Sequence, residues 1–475
     1  MPVKITVRII PFTLKGEKPK MFMTFLMKIV GFLLAILTPF LSLIVATPFS
    51  DFDKNVDIAE EKLGGFMKGV CHADPQYDLL NEAGIEWFRD DIPFPFNKDG
   101  SVSEYYKNWK KESMEFVKNG VRIFGVTPYP DDYIEYGLDP RDPENREAIQ
   151  DIARFYIEDL KGIVGAFQVT NEMGIDRFTL PLTLDEAAEF IGMQLEAMYP
   201  IRGDVLIGYN LGGLSVATLP FKMIKYHKYC DYVGLDMYLG CFEPVLKNPN
   251  QFFTLLNWVR RVTMKPVILC EFGYIGYGEP KTTEEKNAIL QSYGFKNETD
   301  AIENIDEFIQ VLPEDMKEEI VEDYSDRTPE ERADLIFNGE YSNHLYCELA
   351  EGVGLYGFEH TPEGQAEFYE YLLPKIMEVD FVIGACVYCW ADSDSCYVCG
   401  QADCPVETGW GLVDGNGNPK PSYYAVKEVF ANYVTIADRI ENKINEVKTN
   451  ITAKVDGVKE YIDESIVEIK ELFTA

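Results

Sequence analysis

From about residue 65 to 433, short runs rich in β-branched and aromatic residues alternate with longer stretches of helical periodicity. The runs predict strands at Phe66–Cys71, Ile85–Arg89, Val121–Val126, Gly165–Thr170, Val205–Tyr209, Tyr232–Leu235, Pro266–Cys270 and Phe381–Tyr388. The periodic stretches between them predict helices over 103–119, 144–161, 184–199, 251–263 and 364–378, with a last one over 421–432. Eight strand–helix units in succession predict an α/β fold, a closed (β/α)8 TIM barrel. An open doubly wound sheet is the alternative. It usually carries a Gly-rich phosphate loop after an early strand, and none occurs here.

Three stretches depart from the alternation. After the seventh strand some ninety residues pass before the next barrel helix, with an acidic insertion at about 279–360. Between Glu279 and Glu340 there are 19 acids and 6 bases, a net of −13. Periodic segments at Ala301–Leu312, Asp315–Asp323 and Pro329–Phe337 predict a small helical subdomain there rather than slack loop. In a barrel such an insertion belongs over the C-terminal face. In the tail, 434–475, apolar residues fall at Ile436, Ile440, Ile444, Val447, Ile451, Val455, Val458, Ile462, Ile466 and Ile469. That 4-4-3 spacing is an eleven-residue period, which keeps one stripe on one face of a long amphipathic helix. Pairing with a second copy is the favoured role, giving a homo-oligomer through 436–469; lying on a membrane or packing on the barrel are the others. Finally, residues 1–28 carry Lys4, Arg8, Lys15, Lys18, Lys20 and Lys28 against Glu17, and Ile29–Ala46 follows without a charge. A basic segment before an apolar one predicts a signal peptide or a membrane anchor at 29–46. Either one places the remainder outside the cell or at its surface.

Composition narrows the function classes. A formal charge of −35 argues against a phosphate-backbone partner, which needs clustered Lys and Arg, so no nucleic acid is expected. Ten cysteines are compatible with export and disulfides. Two C-x-x-C pairs, Cys386/Cys389 and Cys396/Cys399, invite a zinc-ribbon reading. Against it, the first pair lies in a strand, where residues three apart face opposite ways. Cys396, Cys399 and Cys404 follow in a loop, where a disulfide is the expectation. The four histidines, His72, His227, His344 and His360, contain no His-x-His pair. No metal and no cofactor are therefore expected.

Catalytic groups in a barrel sit at the C-terminal ends of strands. Those positions read Arg89-Asp90-Asp91 on strand two, Val169-Thr170-Asn171-Glu172 on strand four, Asp236-Met237-Tyr238 on strand six, Cys270-Glu271-Phe272-Gly273 on strand seven, and Trp390-Ala391-Asp392 on strand eight. Two glutamates across the barrel mouth are what glycosidic bond cleavage requires. One carboxyl donates a proton to the leaving oxygen while the other attacks the anomeric carbon, at a separation of about 5–5.5 Å in retaining enzymes.

On these residues the barrel, about 65–433, resembles glycoside hydrolase clan A, the 4/7 superfamily. Its strongest pieces are Val169-Thr170-Asn171-Glu172 and Leu269-Cys270-Glu271-Phe272-Gly273. Trp390, Gly409-Trp410-Gly411-Leu412-Val413-Asp414 and Pro419-Lys420-Pro421-Ser422-Tyr423-Tyr424 resemble the barrel ends of families two and five. The resemblance implies a retaining β-glycosidase acting on a β-linked oligo- or polysaccharide, with Glu172 as acid/base and Glu271 as nucleophile. It implies that Arg89 and Tyr238 hold the nucleophile ionised, that Asn171 binds the sugar 2-hydroxyl, and that Trp390 floors the site. His72, after strand one, is a further candidate sugar contact. Met173 stands where many relatives have Pro, and the third strand lacks the His common in family five. Other readings are an inactive carbohydrate-binding barrel, a transglycosylase, a metal-dependent barrel hydrolase and a surface-anchored structural protein. The paired glutamates count against the first, the scarcity of histidine against the third, and the strand-end glutamates against the last.

Overall fold

The computed structural model describes residues 50–242, 247–339 and 341–432. Eight parallel strands close into a barrel in sequence order: β1 (Met67–Cys71), β2 (Trp87–Asp91), β3 (Arg122–Val126), β4 (Val164–Gln168), β5 (Leu206–Tyr209), β6 (Tyr232–Met237), β7 (Val267–Phe272) and β8 (Val382–Val387). Closure is made by β8 beside β1, with Met67 opposite Gly384 and Val70 opposite Val387. From β5 to β8 every strand residue is buried, because helices cover the outside and side chains fill the inside. That is why these strands read as continuous apolar runs rather than alternating ones. All eight fall where the pattern of the chain predicts them, within two residues at each end.

The helices Glu104–Lys118, Arg146–Asp159, Leu184–Met198, Gln251–Thr263, Pro362–Met377 and Pro421–Ala431 match the predicted stretches. Leu184–Met198 begins in a capping box: the Thr183 hydroxyl accepts from the Glu186 amide while the Glu186 carboxylate accepts from the Thr183 amide. Short helices such as Tyr77–Glu82 and Pro130–Glu135 were not foreseen, nor was one long helix. Ser50–Leu63 precedes β1, buries Val56, Ala59 and Leu63, and lies at the N-terminal end of the barrel. There Lys62 donates to the Gly203 carbonyl (3.0 Å) and Arg122 donates to the Leu63 carbonyl. The barrel unit therefore begins before residue 65.

The insertion is helical, as expected: Thr283–Ser292, Glu298–Glu303, Ile305–Val311, Glu314–Asp323, Pro329–Phe337 and Ser342–Tyr346. Leu290, Phe308, Ile320, Ile336 and Phe337 give it a core separate from that of the barrel. The loop after β8 joins this second core through Cys396, Val398, Cys399, Cys404 and Val406. The predicted segments at 29–46 and 434–475 lie outside the described residues. Among the described residues no helix is long and apolar enough to cross a membrane.

Candidate active site

The C-terminal ends of the strands surround a cleft of about 1380 Å³, whose lining includes His72, Arg89, Asn171, Glu172, Asp236, Tyr238 and Glu271. The two glutamates enter from opposite sides of the mouth. Glu271 is the penultimate residue of β7 and is buried. Arg89 donates to its Oε1 at 2.7 Å, and the Tyr238 hydroxyl donates to its Oε2. Both oxygens of this carboxylate are thus held, one by a buried cation and one by a phenol. Burial disfavours the Arg89 cation, but Glu271, with Cys71 and Asp236, more than offsets this and holds its pKa well above the usual value. Burial, then the Glu271 charge, holds Tyr238 well above the ordinary phenol range, so it stays a donor.

Glu172 follows β4 on a tight turn. Thr170 and Glu172 both take positive φ (51° and 41°), and His72, just past β1, does the same (51°). Left-handed backbone at non-glycine residues disfavours folding and tends to gather at functional sites. The Glu172 amide donates to Asn210 Oδ1 (2.8 Å), which fixes the turn against the end of β5. The Glu172 carboxyl lies over Gly212, where an added Cβ would stand 2.1 Å from its Oε1. A glycine at 212 is what leaves the carboxyl its room.

Asn171 is aimed by its neighbours. Its Oδ1 accepts from Arg89 (2.8 Å), Gln168 (2.9 Å) and Asn210 (2.6 Å). Three donors on the oxygen fix the amide orientation and leave the Nδ2 donor for the cleft. Arg89 further donates to Gln168 Oε1 (3.2 Å), so Arg89, Gln168, Asn171 and Asn210 form one buried polar lattice beneath the two glutamates.

A third carboxyl completes the mouth. A bulge between Leu235 and Asp236 brings Asp236 into register opposite Glu271. Its Oδ2 accepts from Asn210 (2.5 Å), while Oδ1 is buried without a partner among the described residues. Burial, followed by the charges of Glu271 and Glu172, pushes its pKa well above the carboxylate range, which favours the protonated acid. Asp236, Asn210, Gln168 and Gly212 were not among the predicted site residues.

Of those predicted, Glu172, Glu271, Arg89, Asn171, Tyr238 and His72 line the cleft; Trp390 does not. The Trp390 ring is fully buried, donates from Nε1 to Gln76 Oε1 (2.7 Å) and meets Tyr423 edge-on at 6.2 Å. Its amide is tied to the Cys71 carbonyl (3.0 Å), which turns the side chain toward the last helix. The aromatic surface of the cleft comes instead from Tyr388 and Phe242, backed by the buried Trp410, which packs edge-on with Tyr388 at 5.6 Å and with Tyr238 at 4.9 Å.

The cysteine expectation also needs correction. All ten cysteines are free thiols. Cys396, Cys399 and Cys404 are not bridged; their sulfurs face His344, which arrives from the insertion. Cys386 lies in β8 as expected, and burial pushes its thiol up to about 12, but Cys389 stands two residues past the strand, so the argument from strand spacing does not reach it.

No protein-family model matches the chain, and no curated protein matches it. Among solved structures it is similar to a β-D-glucuronidase of Dictyoglomus thermophilum (15% identity, TM-score 0.43, 78% of this chain and 51% of that one). It is also similar to a β-galacturonidase of Eisenbergiella tayi (12%, 0.44, 78% and 52%) and to xylanase 10B of Thermotoga maritima (13%, 0.48, 78% and 97%). The chain spans about half the length of the glucuronidase and galacturonidase chains.

Proposed function

We propose that the chain is a retaining β-glycosidase of clan A that cleaves a β-linked oligo- or polysaccharide. The observation that carries this reading is the pair of glutamates from β4 and β7 lining one cleft, with Arg89 and Tyr238 both bonded to Glu271. A carboxylate with each oxygen held in place is positioned to attack, and its orientation is fixed before substrate arrives. In the first step a Glu271 oxygen bonds to the anomeric carbon while the glycosidic bond breaks, and Glu172 gives its proton to the departing oxygen. In the second, Glu172 takes a proton from water as that water bonds to the anomeric carbon. The bond to Glu271 breaks, and its electron pair returns to the carboxylate.

The surrounding groups fit these roles. Asn171 Nδ2 is aimed at a sugar hydroxyl beside the reacting carbon. Asp236, neutral, adds no negative charge beside Glu271. Tyr388 and the exposed Phe242 offer ring surface against a sugar face. At about 1380 Å³ the cleft exceeds the ~300–1,000 Å³ usual for small-ligand pockets, which favours a chain of sugars over a single unit.

Proton NMR of the first-formed product tests the mechanism: the β anomer should appear first. An α anomer appearing first would overturn the nucleophilic role of Glu271. Glu172→Ala should be rescued by azide with a β-glycosyl azide product, whereas azide on Glu271→Ala should give the α product.

A further inference from the structure

Away from the glutamates, His344 of the helix Ser342–Tyr346 meets three cysteines of the loop after β8. One ligand atom from each of His344, Cys396, Cys399 and Cys404 lies within 4.8 Å of the others, and all four residues are buried. His344 Nδ1 is 3.3 Å from Cys396 Sγ and 3.9 Å from Cys404 Sγ. A tetrahedral zinc ion with Zn–S of about 2.3 Å and Zn–N of about 2.0–2.1 Å needs ligand atoms roughly 3.5–3.8 Å apart. The two histidine–sulfur separations bracket that range and no separation exceeds 4.8 Å, so small side-chain shifts bring the four atoms to the corners of such a tetrahedron.

The loop backbone is shaped for the same purpose. Cys396-Tyr397-Val398-Cys399-Gly400 folds back on itself, with the Gly400 amide on the Cys396 carbonyl (2.8 Å) and the Cys396 amide on the Gln401 carbonyl (3.0 Å). Gly400 takes φ +68°, which lets the chain reverse directly after the second cysteine. The Cys399 amide donates to Cys396 Sγ at 3.4 Å. Amide donors to sulfur stabilise a thiolate and orient it toward a metal. Cys404 then returns after four residues. Three sulfurs and one imidazole nitrogen suit zinc: cluster iron usually takes four thiolates, and hard cations take oxygen.

We propose that His344, Cys396, Cys399 and Cys404 hold a structural zinc ion that fastens the helical insertion to the loop after β8. Four protein ligands leave no open position, so the ion is structural rather than catalytic. Its place explains why a loop of the barrel shares the core of the insertion. A core of that size is small to stand alone, and a metal is a common way to hold one together. The clamp also bears on the cleft, since His344, Tyr397, Val406 and Glu407 form part of its wall. Arg177, from the segment after β4, donates to the Tyr397 hydroxyl (2.9 Å) and to Glu319 of the insertion (2.7 Å). A zinc ion beside Tyr397 would hold that wall in register with the β4 side. The inference does not depend on the glycosidase reading.

Cys347 is the neighbour to discriminate against, with its sulfur 3.9 Å from that of Cys399. The test uses the full chain purified without chelator. Elemental analysis after gel filtration should give close to one zinc per chain. X-ray absorption at the zinc edge should show three sulfurs at about 2.3 Å and one nitrogen at about 2.0–2.1 Å. Cobalt(II) exchanged into the site should give the sulfur charge-transfer and intense visible bands of a tetrahedral thiolate centre. Cys347→Ser should keep the metal, and Cys396→Ser and Cys404→Ser should lose it; the wild-type measurements stand even where those variants fail to fold. A protein that leaves gel filtration without zinc and takes up no cobalt would overturn the proposal, as would disulfides among these cysteines by mass spectrometry. A shell of four sulfurs, with the metal lost in Cys347→Ser, would remove His344 from the ligand set and overturn the assignment as stated.

Discussion

Replacing Arg89 by Met keeps a long apolar stem but removes the cation bonded to Glu271. Arg89 is 2% exposed and Glu271 7%, so water cannot take the place of the lost partner. Breaking a buried ion pair from one side costs about 3–5 kcal/mol, because a buried charge is left uncompensated. Two other acceptors lose a donor. Asn171 Oδ1 keeps Gln168 and Asn210, but Gln168 Oε1 has no other donor among the described residues and adds roughly 1 kcal/mol. Arg89→Met should therefore lose about 4–6 kcal/mol of stability. Glu271→Gln, which leaves Arg89 without its counterion, should lose about 3–5 kcal/mol. The double variant carries neither charge, so its loss should fall short of the sum by about 2–3 kcal/mol. Urea denaturation of the four proteins at pH 7 measures this coupling. On substrate, Arg89→Met should lose roughly 10²–10³-fold in kcat/KM, and the double variant should recover none of it. Losses that add within ~0.5 kcal/mol would refute the reasoning, since they would mean that the two side chains are not energetically paired.

The remaining predictions follow from other parts of the site. Asp236 has its pKa raised on folding, so its contribution is full below the ordinary carboxyl range and declines as pH rises toward the folded value. Asp236→Asn should thus be more stable relative to wild type at pH 8 than at pH 4, while keeping most activity; a stability difference independent of pH would count against a protonated Asp236. Gly212→Ala forces the Glu172 carboxyl aside at little cost to the fold, and should lower turnover about 10²-fold with an unchanged melting temperature; unchanged turnover would mean that Glu172 needs no such room. Phe242→Ala should raise KM with an unchanged melting temperature, whereas Trp390→Phe should lower the melting temperature and leave KM alone. The reverse pattern would restore Trp390 to the cleft.

The strands were legible because nearly all of their residues are buried, and burial writes a local signal of apolar runs bounded by turn residues. Glu172, Glu271 and Arg89 were legible because strand ends in a barrel point to one place. Beyond a strand end that logic stops. Trp390 lies three residues past β8, where the aim of a side chain depends on which carbonyl its amide reaches, and the sequence carries no period for that. Asn210 and Gln168 act by holding other side chains, so their chemistry is visible only once their partners are beside them. Asp236 looks like any strand-end acid until a one-residue bulge turns it to face Glu271. The cysteines misled for a related reason: their fourth companion, His344, is 52 residues away in a different element, and no local spacing links them.

The place of the insertion has a consequence for synthesis. Between Phe272 at the end of β7 and Val382 at the start of β8 lie about 110 residues. A ribosome adding 5–20 residues per second needs roughly 5–20 s to deliver them. Through that interval seven strands are available but the ring cannot shut, since β8 is the strand that pairs with both β7 and β1. The nascent sheet then has two long apolar edges with unsatisfied amides, the template that invites pairing with another chain. Here the yield of soluble protein should depend on chaperone capacity and translation rate more than on the stability of the finished barrel.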